Sequence, residues 1–167
     1  MKLLIEKIPS PIGTMLLVHD GAAIRALDFE DYAPRMMQLL RRHYGAVELV
    51  DGNAPRAVHD AMDAYFAGTI GAIDRLATAT AGTEFQREVW RMLRKIPAGA
   101  TWSYGQLATH IGRPRAMRAV GLANGSNPIA IVVPCHRVIG ADGGLTGYGG
   151  GIERKRWLLQ HEGAAFA

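Results

Sequence analysis

The sequence predicts two domains, an α/β unit with a mostly antiparallel sheet over residues 1–78 and a mainly α-helical unit over residues 79–167. Three observations carry this. Strand and helix signals alternate through the first half, around the turn pair Asp20-Gly21. Ala77-Thr78-Ala79-Thr80-Ala81-Gly82 is a run of small residues that reads as a linker, and the second half holds short capped helices divided by Gly and Pro. With 167 residues, 49% of them hydrophobic, the chain can bury roughly two-thirds of its unfolded surface, enough for one domain or two small ones.

The elements follow in order. Residues 1–8 are strand-like, and residues 14–19 and 22–29 form a hairpin across Asp20-Gly21. Residues 32–44 place Met36, Met37, Leu39 and Leu40 before Arg41, Arg42 and His43, a helix with its basic residues at the end where the dipole favours them. A short strand over 46–50 precedes a second helix over 54–66, closed by Gly68. Beyond the linker, Thr83 with Gln86 three positions on forms a capping box, and Phe85, Val89, Trp90, Leu93 and Ile96 make an apolar stripe. Pro97-Ala98-Gly99 ends that helix. Ser103 caps a short helix carrying Leu107 and Ile111, Gly112-Arg113-Pro114 turns the chain, and a third helix spans residues 115–124 with Val120 and Leu122 inward.

Two short helices joined by a tight Gly-containing turn are the outline of a helix-turn-helix. The second helix carries Arg115 and Arg118 on a surface otherwise made of Ala, Met and Gly. Small residues let a helix sink into a groove while guanidinium groups reach phosphates or bases. Charge agrees with this. Residues 1–78 hold 8 basic and 10 acidic side chains, a net of −2, whereas residues 79–167 hold 11 and 5, a net of +6. All the excess positive charge lies in the half with the helix-turn-helix, which favours a polyanionic partner. No apolar run approaches the ~20 residues needed to cross a bilayer, and Lys2, Glu6 and Lys7 charge the N-terminus too early for a secretory signal. A cytoplasmic protein with no membrane partner is expected.

The one cysteine, Cys135, lies in Pro134-Cys135-His136-Arg137-Val138. A lone cysteine cannot form an intramolecular disulfide, a multi-cysteine zinc site or a CxxC redox pair, so it is either a packed apolar residue or a nucleophile. The surroundings favour the nucleophile. Ile129-Ala130-Ile131-Val132-Val133 reads as a buried strand leading to it, and Gly140, Gly143, Gly144, Gly147, Gly149, Gly150 and Gly151 follow, where backbone can approach a flat ligand closely.

These segments resemble a known family. SYGQLATHIGRPRAMRAVGLANGSNPIAIVVPCHRVIG, then GYGGG and KRWLLQHEG, are similar to the O6-alkylguanine-DNA alkyltransferases, which move an alkyl group from guanine to their own cysteine. The likeness is strong across residues 83–163 and weaker before. It implies a ribonuclease-H-like α/β domain followed by a winged helix-turn-helix domain. It also implies that Cys135 accepts the alkyl group, that His136 couples to it through water, and that Glu162 stands behind His136. Asn127 matches a hinge asparagine, Tyr104 a tyrosine that contacts the extruded base, and Arg118 an arginine that fills the gap left in the duplex. Val138, Tyr148 and Lys155 match pocket positions. Gly149 stands where some relatives have a serine, so backbone would serve there. Arg115 and Arg137, with Arg118 and Tyr104, are expected to contact DNA. Some relatives bind zinc through N-terminal cysteines; this chain has none there, so no metal and no cofactor are expected. The implied partner is double-stranded DNA containing O6-alkylguanine, with O4-alkylthymine left open, bound by a monomer.

The residue types suit that chemistry. Attack on the alkyl carbon needs a thiolate, and at an unperturbed pKa of about 8.5 only a few per cent of a cysteine is ionised at neutral pH. A base is therefore required, and His136 with Glu162 to orient it supplies one. The departing guanine gathers negative charge, which a proton from the Tyr104 phenol would meet. A lesion-binding module and a cysteine hydrolase are the competing classes. The first carries tryptophan in place of Cys135 in such relatives, and the second requires an oxyanion site and repeated turnover.

Overall fold

The computed structural model describes residues 1–167. It divides into two units, Met1–Ala81 with Pro128–Val132, and Gly82–Asn127 with Val133–Ala167. The sequence reading cuts between 78 and 79 and leaves residues 128–132 with the second half. The difference lies in that returning segment, whose hydrogen bonds run to the first unit.

The first unit is a four-stranded sheet of β1 (Lys2–Ile8), β2 (Met15–His19), β3 (Ile24–Phe29) and β4 (Glu48–Asp51), with α1 (Ala33–Tyr44) and α2 (Arg56–Phe66). The strand order is β3-β2-β1-β4, antiparallel except for the parallel pair β1/β4. Strand β2, Met-Leu-Leu-Val-His, is buried along its whole length, as its unbroken apolar run requires. Leu3, Leu16, Val18 and Ala26 pack on Met36 and Leu40 of α1.

The hairpin is not the two-residue turn expected. Asp20 and Ala23 close a longer loop through Asp20 N–H to Ala23 O at 3.2 Å, and a bulge lies at Val18/His19. The Asp20 carboxylate explains the loop. It accepts from the backbone N–H of Ala22 and Ala23, both at 2.8 Å, an Asx turn that leaves only Gly21 at positive φ, and those bonds, Ala23 first, pull it to about 2.

Residues 129–133 are buried, as expected, but do not form a strand. Pro128 O accepts from Leu27 N–H at 3.0 Å and Ala130 N–H donates to Leu27 O at 2.9 Å, a single bridge on the open edge of β3. The chain then turns twice. Val132 N–H returns to Ala130 O at 2.8 Å around Ile131, whose φ is +70°, and Cys135 N–H returns to Val133 O at 2.8 Å around Pro134, at φ −83° and ψ 66°. The second is a relaxed inverse γ-turn. The first puts a β-branched residue in the left-handed region, at a cost of about 1–2 kcal/mol.

The second unit contains α3 (Glu84–Leu93), β5 (Trp102–Ser103), α4 (Tyr104–His110), α5 (Met117–Gly125), β6 (Val138–Ile139) and α6 (Ile152–His161). Capping boxes begin α3, from Thr83 and Gln86, and α4, from Ser103 and Gln106. Trp90 of α3 donates its indole N–H to Ala123 O at 2.9 Å, tying α3 to α5. Parallel pairing of β5 with β6 sets Trp102 beside Val138 and Ser103 beside Ile139, so α4 starts alongside the segment that follows Cys135. No helix is long and apolar enough to cross a membrane.

Helix α5 corrects one expectation. Val120 is fully buried, but Leu122 is 71% exposed, because residues two apart on a 3.6-residue helix lie about 200° apart. The inward set is Val120, Ala123 and Asn124. Leu122→Ala is therefore expected to change stability by no more than about 0.5 kcal/mol, the range of an exposed site. Val120→Ala should cost several times as much by leaving a cavity. Urea unfolding of both variants checks this, and equal losses would return Leu122 to the core.

Candidate active site

Cys135 opens a single 3₁₀ turn, Cys135–Arg137, so three consecutive side chains leave in three directions. Cys135 is half-buried, His136 is fully buried and Arg137 is 4% exposed. The approach is held at Val133 O, which accepts both the Cys135 N–H and the Asn127 side-chain amide, the latter at 2.7 Å. Asn127 thus fastens the end of α5 to the residue before Pro134-Cys135.

Glu162 caps the C-terminus of α6, and its carboxylate has no exposed surface. One oxygen, Oε2, lies 2.9 Å from His136 Nε2 and accepts from Arg137 Nη2 at 3.0 Å, while Oε1 accepts from Arg137 Nε at 2.8 Å. Arg137 Nη1 donates to Ile96 O at 2.7 Å. Burial alone would push the Glu162 carboxyl up, but His136 and the two-pronged guanidinium outweigh it and hold it well below the usual carboxylate range. At His136, by contrast, burial prevails and pushes the pKa down despite Glu162, so the ring is neutral at pH 7. An ionised carboxylate can only accept, so Nε2 carries the ring proton and Nδ1 is left as a bare acceptor. Nδ1 is buried and has no partner in the chain.

Lys155 of α6 is also fully buried, and its ammonium donates to Val138 O at 2.6 Å and Thr146 O at 3.0 Å. Burial pulls it down to about 8, with Cys135 working in the opposite sense. Lys155 thus fastens β6 to the glycine-rich loop. Val138 is buried, Tyr148 is half-buried and Gly149 is exposed on that loop. Tyr104, the first residue of α4, is half-buried, with its hydroxyl 3.0 Å from Thr146 Oγ1.

Arg115 and Arg118 are exposed, Arg118 on α5 and Arg115 in the turn before it. Arg137 is not, which corrects its placement at the DNA. Its guanidinium is committed inward to Glu162 and Ile96. Nothing local in the sequence marks this, since its partners lie 25 and 41 residues away. Thr146 also escaped the sequence reading, being one small polar residue in a glycine-rich run.

Residues 3–78 match the ribonuclease-like domain of the 6-O-methylguanine DNA methyltransferase family, and residues 84–164 match its DNA-binding domain. The chain is 54% identical over 166 residues to a methylated-DNA--protein-cysteine methyltransferase of Shigella flexneri, covering 98% of this chain and 97% of the relative. It is 49% identical over 157 residues to the protein of that name from Mycobacterium tuberculosis, covering 93% and 89%. Among solved structures, Mycobacterium tuberculosis OGT in complex with DNA superimposes with a TM-score of 0.80 at 44% identity, covering 98% of this chain and 93% of that one.

Removing the Glu162 carboxylate leaves Arg137 buried without a counter-charge. Glu162→Ala is expected to destabilise the protein by about 3–5 kcal/mol in urea unfolding at pH 7, whereas the exposed Glu153→Ala of the same helix should leave the midpoint unchanged. Acid should act the same way. His136 and Glu162 both have folded pKa values below their ordinary 6.5 and 4.5, so the unfolded chain binds their protons first, and stability is lost as pH falls below 6.5 and further below 4.5. A urea midpoint that stays flat from pH 7.5 to 4 would overturn this account of the pair.

Proposed function

Because the chain belongs to the 6-O-methylguanine DNA methyltransferase family, we propose that it repairs duplex DNA by moving an alkyl group from O6 of guanine to Sγ of Cys135, once and irreversibly. The observation that carries this is the half-buried thiol beside a fully buried, neutral His136 whose Nδ1 is unpartnered and whose Nε2 is fixed by an ionised Glu162. In this reading α4 and α5 are the helix-turn-helix of a winged domain, and α5 is the helix that meets DNA.

The target atom is inaccessible in a stacked duplex, so the base is flipped out at a cost of a few kcal/mol. Arg118 offsets that cost by occupying the vacated stack, while Arg115 and neighbouring N–H groups hold phosphates. The thiol proton passes through one water to His136 Nδ1, and Glu162 stabilises the imidazolium that forms. The thiolate attacks the alkyl carbon; the S–C bond forms as the C–O6 bond breaks, and its electron pair goes to the purine. Tyr104 gives its hydroxyl proton to a ring nitrogen of the leaving guanine, and the imidazolium proton returns through water to the phenolate. Thiol and alkylguanine thus become thioether and guanine, with no cofactor in the balance. A thioether is not hydrolysed, so each molecule reacts once.

Incubation with duplex DNA containing O6-methylguanine is expected to add the mass of one CH₂ group to the intact protein, located by peptide mapping at Cys135. Cys135→Ser should keep DNA binding and lose the transfer, because a hydroxyl is far too weakly acidic for this base. A mutant that still gains the methyl group would mean that another residue is the acceptor. Arg118→Ala should slow repair of duplex DNA and spare reaction with free O6-benzylguanine, since the free base needs no extrusion. Equal loss on both substrates would assign Arg118 a structural role.

A further inference from the structure

Thr146, an exposed residue of the glycine-rich loop between β6 and α6, is held at two points. Its carbonyl accepts from the buried Lys155 ammonium at 3.0 Å, and the same ammonium donates to Val138 O at 2.6 Å, so the loop is fastened to the strand that follows Cys135. Its Oγ1 lies 3.0 Å from the Tyr104 hydroxyl. Gly121 of α5 stands next to the Tyr104 ring, where a Cβ would come within 3.7 Å of Cδ1, so the glycine leaves room for the ring. Tyr104 is thus held at its oxygen by Thr146.

We propose that Thr146 is a positioning residue for alkyl transfer, donating its hydroxyl proton to the phenol oxygen of Tyr104 so that the phenol proton is directed at the leaving base. This rests on the reading of Tyr104 as the proton donor. A phenol has one proton. If the phenol gave that proton to Thr146 it would have none for guanine; if it accepts from Thr146, its own proton is free. The same bond strengthens as the phenol oxygen gains negative charge during transfer, so it favours the transition state over the resting complex. The Lys155 contact fixes the backbone of Thr146.

Single-turnover rates at saturating O6-methylguanine duplex test this in wild type, Thr146→Val, Thr146→Ser, Tyr104→Phe and the double variant Tyr104→Phe/Thr146→Val. Valine keeps the shape and loses the hydroxyl; serine keeps the hydroxyl. Thr146→Val is expected to lower the limiting rate about five- to tenfold, the worth of one hydrogen bond, without changing duplex affinity. Thr146→Ser should recover the rate to within about twofold, and Thr146→Val should have no further effect once Tyr104 is Phe. A wild-type rate for Thr146→Val, a serine variant as slow as valine, or an undiminished valine effect in the Tyr104→Phe background would each overturn the proposal and leave the Tyr104 reading standing. A wild-type rate for Tyr104→Phe would overturn that reading and this proposal with it.

Discussion

The carboxylate of Glu162 is the group on which the rest of the site depends. It is wholly enclosed, and its two oxygens are shared between a guanidinium and an imidazole. His136 and Arg137 together keep it ionised, and because it is ionised it can only accept. That fixes the proton of His136 on Nε2 and presents the bare Nδ1 on the opposite edge of the ring. A neutral acid at 162 could donate to the ring and reverse the tautomer, and the buried nitrogen would no longer be a base.

The geometry is compact because it is built on turns rather than on a strand. A strand would send Cys135 and His136 to opposite faces and Cys135 and Arg137 to the same one. The 3₁₀ turn instead spreads three successive side chains, leaving the thiol partly accessible while the next two sink to Glu162. Pro134 makes the turn before it favourable, since its fixed φ suits an inverse γ-turn. Ile131, two residues upstream of Val133, has no such excuse. Its φ of +70° costs about 1–2 kcal/mol at a β-branched residue.

What is legible in the sequence is what acts locally. Thr83 with Gln86 caps α3 because cap and partner are three residues apart, and the motif residues His136 and Glu162 meet in one hydrogen bond while Asn127 and Cys135 both bond the Val133 carbonyl. What is not legible depends on partners distant in sequence. The apolar run 129–133 has the composition of a strand, and only the edge of β3 and the two γ-turns decide otherwise. Leu122 is apolar and sits between buried residues in sequence, yet its helical phase exposes it beside Arg118, four positions back. Asp20-Gly21 carries a two-residue turn signal, but the Asp20 side chain closes a longer loop. Arg137 reads as a surface cation because nothing near it in sequence announces a buried carboxylate.

Around Cys135 the second unit accepts arrangements that stability alone would not select. A buried arginine, glutamate and histidine could be replaced by apolar residues of similar volume with little loss, and often with gain. Lys155 is costlier still, since its ammonium is enclosed with two carbonyls and no carboxylate among its hydrogen-bond acceptors, and burial has pulled it to about 8. Each of these burials fixes something that apolar packing cannot. Glu162 and Arg137 select one tautomer of one ring, and Lys155 holds two carbonyls from separate segments at one nitrogen, which sets where the glycine-rich loop stands relative to β6. Apolar side chains would fill the same volumes and leave both the proton and the loop undirected. The concentration of such costs within one turn and one helix is what distinguishes a reactive thiol from a merely packed one, and it is why the lone cysteine of this chain is read by its neighbours rather than by itself.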